Sequence, residues 1–442
     1  MEAQKLKKEI GFFTALTVVI GTVIGSGVFF KPEAVYSATG TAGLGLLAWV
    51  LGGLITICGG LTAAELSAAI PQTGGMMIYL RKTYGKLISF LLGWAQTVIY
   101  VPANIAALSI IFATQIANLF GTSDGIIIPV AISVATFLML INFLGAKVAG
   151  SFQAVTTICK LVPLILIIIF GLFHSGDVAF RLFPMSTADH PFLTSLGSGL
   201  VATMFAYDGW IHVGNIAGEM KNPKRDLPKA IVFGLTAVMI VYLVINVAYL
   251  FVMPAAALAA TATPASDVAN IIFGSIGGKF ITIGILISVF GTINGYSMTG
   301  TRIPYAMALE NQLPFSNWFK KLSKHTAVPY NAGIIVLIIS IIMIFSGQFN
   351  QLTDMLIFVI WIFYTLTFIA VLVLRKQQPD LARPYKVPLY PVIPFIAIFG
   401  GTFIVFNTLF TQPYNAGLGL LLTLIGLPIY FYKKYKGHFP SE

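Results

Sequence analysis

Charge is what this sequence has least of. Only 9% of its 442 residues are Asp, Glu, Lys or Arg, against about 25% in a soluble domain, so charge cannot cover its surface and the chain reads as an integral membrane protein. Cysteine is almost absent: Cys58 and Cys159 both fall in apolar runs. No loop thiol is left for a disulfide, within the chain or to a linked ancillary subunit. The five histidines (His174, His190, His212, His325, His438) are dispersed, four of them in or near loops or the tail. Clustered His, Ser or carboxylates at catalytic spacing do not occur, which argues against an enzyme, a metal centre or a cofactor. No ring of like charge or repeated filter motif appears, which argues against a channel. Hydrophilic stretches are too short for a second domain, so residues 1–442 read as one domain. The net charge of +11 is spread over short loops beside apolar runs, a topological signal and not a nucleic-acid footprint.

What is present is apolar length. Runs of about 20 residues and longer, in place of alternating strands of about 10, predict helical spans and no barrel. Twelve are expected, near 10–38, 42–69, 86–119, 126–144, 151–173, 193–217, 228–252, 279–308, 331–347, 352–375, 389–411 and 414–433. The start "MEAQKLKKEIGFF" is basic, but no small-residue cleavage site follows its long apolar run, so it reads as a retained first span rather than a signal peptide. With the N-terminus inside, all but four of the 26 Lys and Arg fall in cytoplasmic loops, span ends and the tail. Lys31, Arg181 and Lys279 fall outside and Lys160 falls within the fifth span. The positive-inside rule therefore predicts both termini cytoplasmic.

Two spans are interrupted at their centres. The first carries "VIGTVIGSGVFF", Val19 to Phe30, and the sixth "MFAYDGW", Met204 to Trp210. Glycine is about 1 kcal/mol worse than alanine inside a helix, and unsatisfied backbone in hydrocarbon costs several kcal/mol more. Spans one and six run in opposite directions, so matching breaks predict two inverted five-helix repeats, within 10–173 and 193–375, followed by two further spans in 389–433. At each break one half-helix ends in free carbonyls and the next begins with free N–H groups. N–H groups of Ser26, Gly27 and Val28 suit a carboxylate, and carbonyls of Val23, Phe205, Ala206 and Asp208 suit an ammonium. Together with Ile24, Gly25 and Gly209 they form a clamp for the zwitterion of an α-amino acid. The competing explanation is that Gly25 and Gly27 only let helices pack closely.

The segments "GTVIGSGVFFKP", "AAELSAAIPQTGGMMIYL" (63–80), "FAYDGW" and "GEMKNPKRDLPKA" (218–230) resemble amino acid–polyamine–organocation transporters. More closely they resemble the L-type amino acid transporter branch, with its bacterial serine/threonine and alanine–serine–cysteine exchangers, and the similarity runs from Lys5 to about Lys436. The resemblance implies an all-α membrane protein with the leucine-transporter type of inverted-repeat fold. It also implies sodium-independent exchange of small neutral L-amino acids across the cell membrane. By the same resemblance, Lys160 stands where sodium-coupled relatives hold sodium, bonded to span-one carbonyls near Gly21 and Thr22, and Phe205 resembles an outer gate. The other reading of Lys160 is a lysine that snorkels to the membrane edge.

Three further residues stay open. Asp208 can cap the half-helix that follows it, sense protons or strengthen the ammonium site. Tyr242 is either an inner gate near span one or a packing residue. Glu65 and Glu219, beside basic loops, are expected to form structural ion pairs. Proton-coupled amino acid symport is the alternative to exchange.

Overall fold

The computed structural model describes residues 11–70, 75–145, 155–156, 159–174, 178, 181–211, 213, 220–323, 325–326 and 328–436. Among them every extended regular element is a helix. Helices α1 (Phe12–Val23) and α2 (Gly27–Thr39) are two halves of one span, bent by 45° at the break. Then come α3 (Ala42–Ala69), α4 (Met76–Tyr84) and α5 (Lys86–Ala95), which passes through a π-helical turn, Gln96–Tyr100, into α6 (Val101–Phe120). The chain continues with α7 (Ile127–Phe143), α8 (Leu161–Leu172), α9 (Phe192–Ala206), α10 (Pro223–Val252), α11 (Ala255–Ala259) and α12 (Pro264–Gly300). It closes with α13 (Arg302–Leu309), α14 (Ser316–Phe319), α15 (Tyr330–Ile344), α16 (Phe349–Gln377), α17 (Val392–Thr411), α18 (Pro413–Leu424) and α19 (Gly426–Tyr435).

Local chemistry explains several of these limits. Gly40, at φ 68°, ends α2 in the left-handed conformation that favours glycine. The Thr41 hydroxyl then accepts from Leu44 N–H and caps α3. Eight helical stretches among the described residues are long and apolar enough to cross a membrane, and the bent pair α1–α2 makes a ninth. Three shorter apolar helices, α8, α9 and α15, lie within the expected spans 151–173, 193–217 and 331–347. The expected span 279–308 begins earlier, at Pro264, and is broken at Gly274 (φ 70°). Ser266, Asp267 and Asn270 near its start made that stretch look like loop.

The broken elements sit in the middle of the bundle. Helix α10 packs along α3 and α1, α9 lies against α2 and α3, and α12 runs beside α6. The outward faces are apolar, with Phe137, Leu140, Ile165, Ile169, Phe170, Phe399 and Phe406 all exposed, the pattern expected of helices whose solvent is lipid.

Candidate functional site

The first predicted break is seen between α1 and α2, and α9 ends beside it at the second predicted position; most of the expected second half of that span lies outside the described residues. Helix α1 stops at Val23 because Ile24 is extended (φ −70°, ψ 91°), and α2 restarts from Ser26. Helix α9 stops at Ala206, and Gly209 takes φ 100°, a conformation that strains any side chain. A Cβ on Gly209 would lie 2.9 Å from the Thr22 carbonyl oxygen, and one on Gly27 would lie 2.6 Å from Ala206 Cα. The two breaks therefore touch through bare backbone. Gly25 differs, since its nearest neighbour is Thr292 Cγ2 at an ordinary 3.6 Å. For Gly27 the close-packing explanation holds as stated; for Gly25 it does not.

Three of the last four carbonyls of α1 have partners. Ile20 O accepts from Ile24 N–H at 2.9 Å, Gly21 O from Lys160 Nζ at 2.5 Å, and Val23 O from the Tyr242 hydroxyl at 2.9 Å. Across the gap, Ala206 O lies 3.0 Å from the same Tyr242 hydroxyl and Phe205 O accepts from Asp208 N–H at 3.4 Å. Of the carbonyls expected to face an ammonium, Val23, Phe205 and Ala206 are thus engaged in this state. A single hydroxyl proton serves two of them, so one is always underbonded. On the other side of the break Ser26 O accepts from Phe29 and Phe30 N–H, which leaves Gly27 and Val28 N–H without helical partners. Val23, Ile24, Gly25, Ser26, Gly27, Lys160, Phe205, Ala206, Asp208, Gly209 and Tyr242 are all buried.

Lys160 precedes α8 and is only 4% exposed, with its ammonium directed at Gly21. That is the contact expected of a span-five lysine on span one, and it is incompatible with snorkelling to the membrane edge. Asp208 departs from the capping expectation. Its Oδ2 accepts from the Tyr100 hydroxyl at 2.5 Å and its Oδ1 from the Tyr364 hydroxyl at 2.7 Å. Both carboxylate oxygens are committed to tyrosines on α16 and on the π-helical turn between α5 and α6. Such turns recur at functional sites, where the extra residue redirects a side chain. Tyr296 of α12 packs edge-on against Tyr100, ring centroids 6.0 Å apart.

Besides Tyr100 and Tyr364, sequence reading missed Lys31. Lys31, expected at the outer side of the first span, is on α2 and has no exposed surface. Its ammonium pairs with Asp354 at 3.3 Å and bonds Thr353 Oγ1 at 2.7 Å and Asn350 Oδ1 at 3.0 Å, all on α16. It also lies over the rings of Phe205 and Phe349, 5.5 and 5.2 Å from their centroids. Phe205 meets Phe349 edge-on at 5.6 Å. The available signal was the aromatic pair Phe29–Phe30 just before Lys31, which continues the apolar run through it. Beyond this layer a 320 Å³ cavity is lined by Phe30, Glu33, Ile110, Phe349 and Asn350, among others.

At the opposite end of α3, Glu65 accepts from Arg375 at 2.8 and 2.5 Å and from Val387 N–H at 2.8 Å, and pairs with Arg383 at 3.4 Å. This is the structural ion pairing expected of it. Glu219 lies outside the described residues.

A family model for amino acid permeases matches residues 10–427. The chain is 43% identical to the serine/threonine exchanger SteT of Bacillus subtilis (strain 168), over 97% of this chain and 98% of that one. It is 30% identical to the human cystine/glutamate transporter, over 97% of this chain and 86% of the relative. It is 31% identical to the human large neutral amino acids transporter small subunit 2, over 99% and 82%.

Proposed function

Because the chain belongs to the amino acid permease family, we propose that it is a sodium-independent exchanger of small neutral L-amino acids such as alanine, serine, cysteine and threonine, working by alternating access. The observation that carries this reading is the contact of two helix breaks beside a fixed ammonium, Lys160 on Gly21 O. In this reading twelve spans form two inverted repeats, 10–173 and 193–375, with two further spans in 389–433. Both termini are cytoplasmic and the membrane is the cell membrane.

The chemistry follows from the two ends. A substrate carboxylate docks on the free N–H groups of Gly27 and Val28, at the positive end of α2. Its ammonium takes over the carbonyls of Val23 and Ala206, where three N–H donors replace the single proton of Tyr242. Lys160 supplies the positive charge that a mobile sodium ion would otherwise bring to the end of α1. The layer of Lys31, Phe205 and Phe349 closes the outer side. A serine/threonine exchanger among the relatives supports a small neutral substrate, and so does the apolar lining by Phe205, Trp210 and Ile211. Cys58 and Cys159 lie within helices, partly buried and free, which supports a chain that works without a disulfide-linked partner.

The test is labelled serine uptake into proteoliposomes with and without internal serine, and with and without sodium. Uptake that needs internal amino acid and ignores sodium is the expected result; accumulation in empty liposomes driven by a sodium gradient overturns it. A second reading, proton-coupled symport, is favoured by Asp208, a buried carboxylate that no basic side chain pairs with among the described residues. Uptake into empty liposomes that acidifies an internal pH dye selects that reading.

A further inference from the structure

Gln115, on the last turns of α6, has no exposed surface. Its Oε1 accepts from the Ser266 hydroxyl at 3.1 Å, while its Nε2 has no partner among the described residues. A buried donor left unbonded costs about 1–3 kcal/mol. Gln115 lines a 610 Å³ cavity between the end of α6 and the first part of α12. The break in α12 shapes this space. Eight residues of an unbroken helix rise about 12 Å, yet the chain turns so tightly at Gly274 (φ 70°) that a Cβ on Gly278 would lie 2.7 Å from Asn270 Cα. Asp267 and Asn270 before the turn, and Ser275 and Lys279 after it, therefore line one cavity. Its walls are tied together by the Ser266–Gln115 bond and by Asn118 Nδ2, which donates to Thr263 Oγ1 at 3.3 Å.

The lining says what fits. Asp267 and Lys279 bring opposite charges to the cavity, and among the described residues they pair neither with each other nor with any other charged group. Asp267 accepts from the Thr261 hydroxyl through Oδ2, which leaves Oδ1 without a protein partner there. A simple anion at Lys279 would meet the carboxylate of Asp267, and a simple cation at Asp267 would meet the ammonium of Lys279. One carboxylate is also too few for a divalent cation held by protein alone. No aromatic ring lines the cavity among the described residues, so a nucleobase or sugar has nothing to stack on. A small molecule carrying both charges satisfies both walls. We propose that this cavity is a second binding site for a zwitterionic amino acid, its ammonium on Asp267 and its carboxylate on Lys279 and Gln115 Nε2. The site itself does not depend on transport; only its assignment to the outer face, and the choice of serine as probe, rest on the function proposed above.

The test is equilibrium binding of labelled serine to the full chain in nanodiscs. The wild type is expected to bind two serines per chain, one at the helix break and one in this cavity. Lys279→Gln, at an exposed position, and Asp267→Asn each lower that count to one. Gly25→Val, which closes the break, keeps one site, and adding Lys279→Gln removes it. A local readout accompanies the count. In the Gly25→Val chain, serine should slow maleimide labelling of a cysteine placed at Thr122, an exposed residue of the cavity lining, and Lys279→Gln should abolish that protection. A count unchanged in both Lys279→Gln and Asp267→Asn overturns the proposal. Acetate or methylammonium that displaces the cavity's serine at serine-like concentrations also overturns it, because a single charge is then enough. Loss of one serine in Lys279→Gln but none in Gly25→Val upholds the cavity and overturns the break, so the two readings fail separately.

Discussion

Val23 and Ala206, the last helical residues of two spans far apart in the chain, turn their carbonyl oxygens onto one hydroxyl, that of Tyr242, at 2.9 and 3.0 Å. Tyr242 itself is fully buried on α10, edge-on to Trp49. The two breaks are thus joined through a third helix at the point where an ammonium is proposed to bind. Tyr242→Phe keeps the ring and removes the donor. A hydrogen bond of this kind contributes about 1 kcal/mol net, so the variant should fold with a slightly lower Tm. Its exchange rate should fall roughly tenfold, because a bond that is made and broken in the cycle is lost; the factor is that of ~1.4 kcal/mol. Labelled serine exchange at saturating substrate, alongside thermal denaturation, checks both. Unchanged exchange with lowered stability would return Tyr242 to packing.

The two glycines of the first break should respond differently. A Cβ at Gly27 meets Ala206 Cα at 2.6 Å, which forces α2 and α9 apart. Overpacking of that kind costs about 1–3 kcal/mol or more, so Gly27→Val should lower the yield of folded protein. At Gly25 there is room, with the nearest atom at 3.6 Å. Gly25→Val should therefore fold and yet block access to the N–H groups beside it, with substrate protection in thermal denaturation lost. Normal substrate protection in Gly25→Val would remove the carboxylate site from this break.

Lys160 ties α8 to the end of α1 through Gly21 O at 2.5 Å. A hydrogen bond from a charged donor contributes about 1.5–3 kcal/mol, and its loss frees α1, the first half of the broken span. Lys160→Ala should slow exchange more than tenfold with little change in serine affinity, since the lysine touches helix end rather than substrate. Accessibility of a cysteine introduced at the exposed Thr22 should rise in the same variant. Equal turnover and equal accessibility would leave Lys160 without a part in transport.

How much of this was legible in the sequence depends on whether backbone or side chain carries the feature. The α1 break and the end of α9 followed from glycine placement and apolar length, which act locally; the seat of Lys160 against span one followed only from the family resemblance, and Tyr242 stayed open between gate and packing. Lys31 did not follow, because its burial depends on Asp354, Phe205 and Phe349, partners brought to it only by the fold. Asp208 was placed at the break with capping, proton sensing and the ammonium site all open, and its two tyrosine partners were not foreseen. Tyr100 reaches it from a π-helical turn, and no residue pattern in "QTVIY" announces that extra residue. The early start of α12 was hidden by its polar residues: Ser266 donates to Gln115 and Asp267 accepts from Thr261 instead of facing solvent, while Asn270 is exposed.

The last prediction concerns the substrate. The clamp is made of backbone dipoles, so it reads the carboxylate and ammonium that all L-amino acids share. Discrimination among side chains then falls to the neighbours of the break. Phe205 and Trp210 are aromatic and Ile211 is aliphatic, and all three are buried. The carboxylate at the break, Asp208, has both oxygens occupied by Tyr100 and Tyr364. A charged side chain would have to be desolvated there without a partner, at a cost of several kcal/mol. Alanine and serine should therefore compete well against labelled serine, and lysine and glutamate poorly, by a factor of about 100 or more for ~3 kcal/mol. Alanine methyl ester and N-acetylalanine, each lacking one of the two charges, should fail at concentrations where alanine succeeds. Competition by the methyl ester at alanine-like concentrations would show that no carboxylate is held at Gly27 and Val28. Strong transport of glutamate, a substrate named for the human cystine/glutamate relative, would show that Lys31 or Lys160 leaves its present partners to meet it.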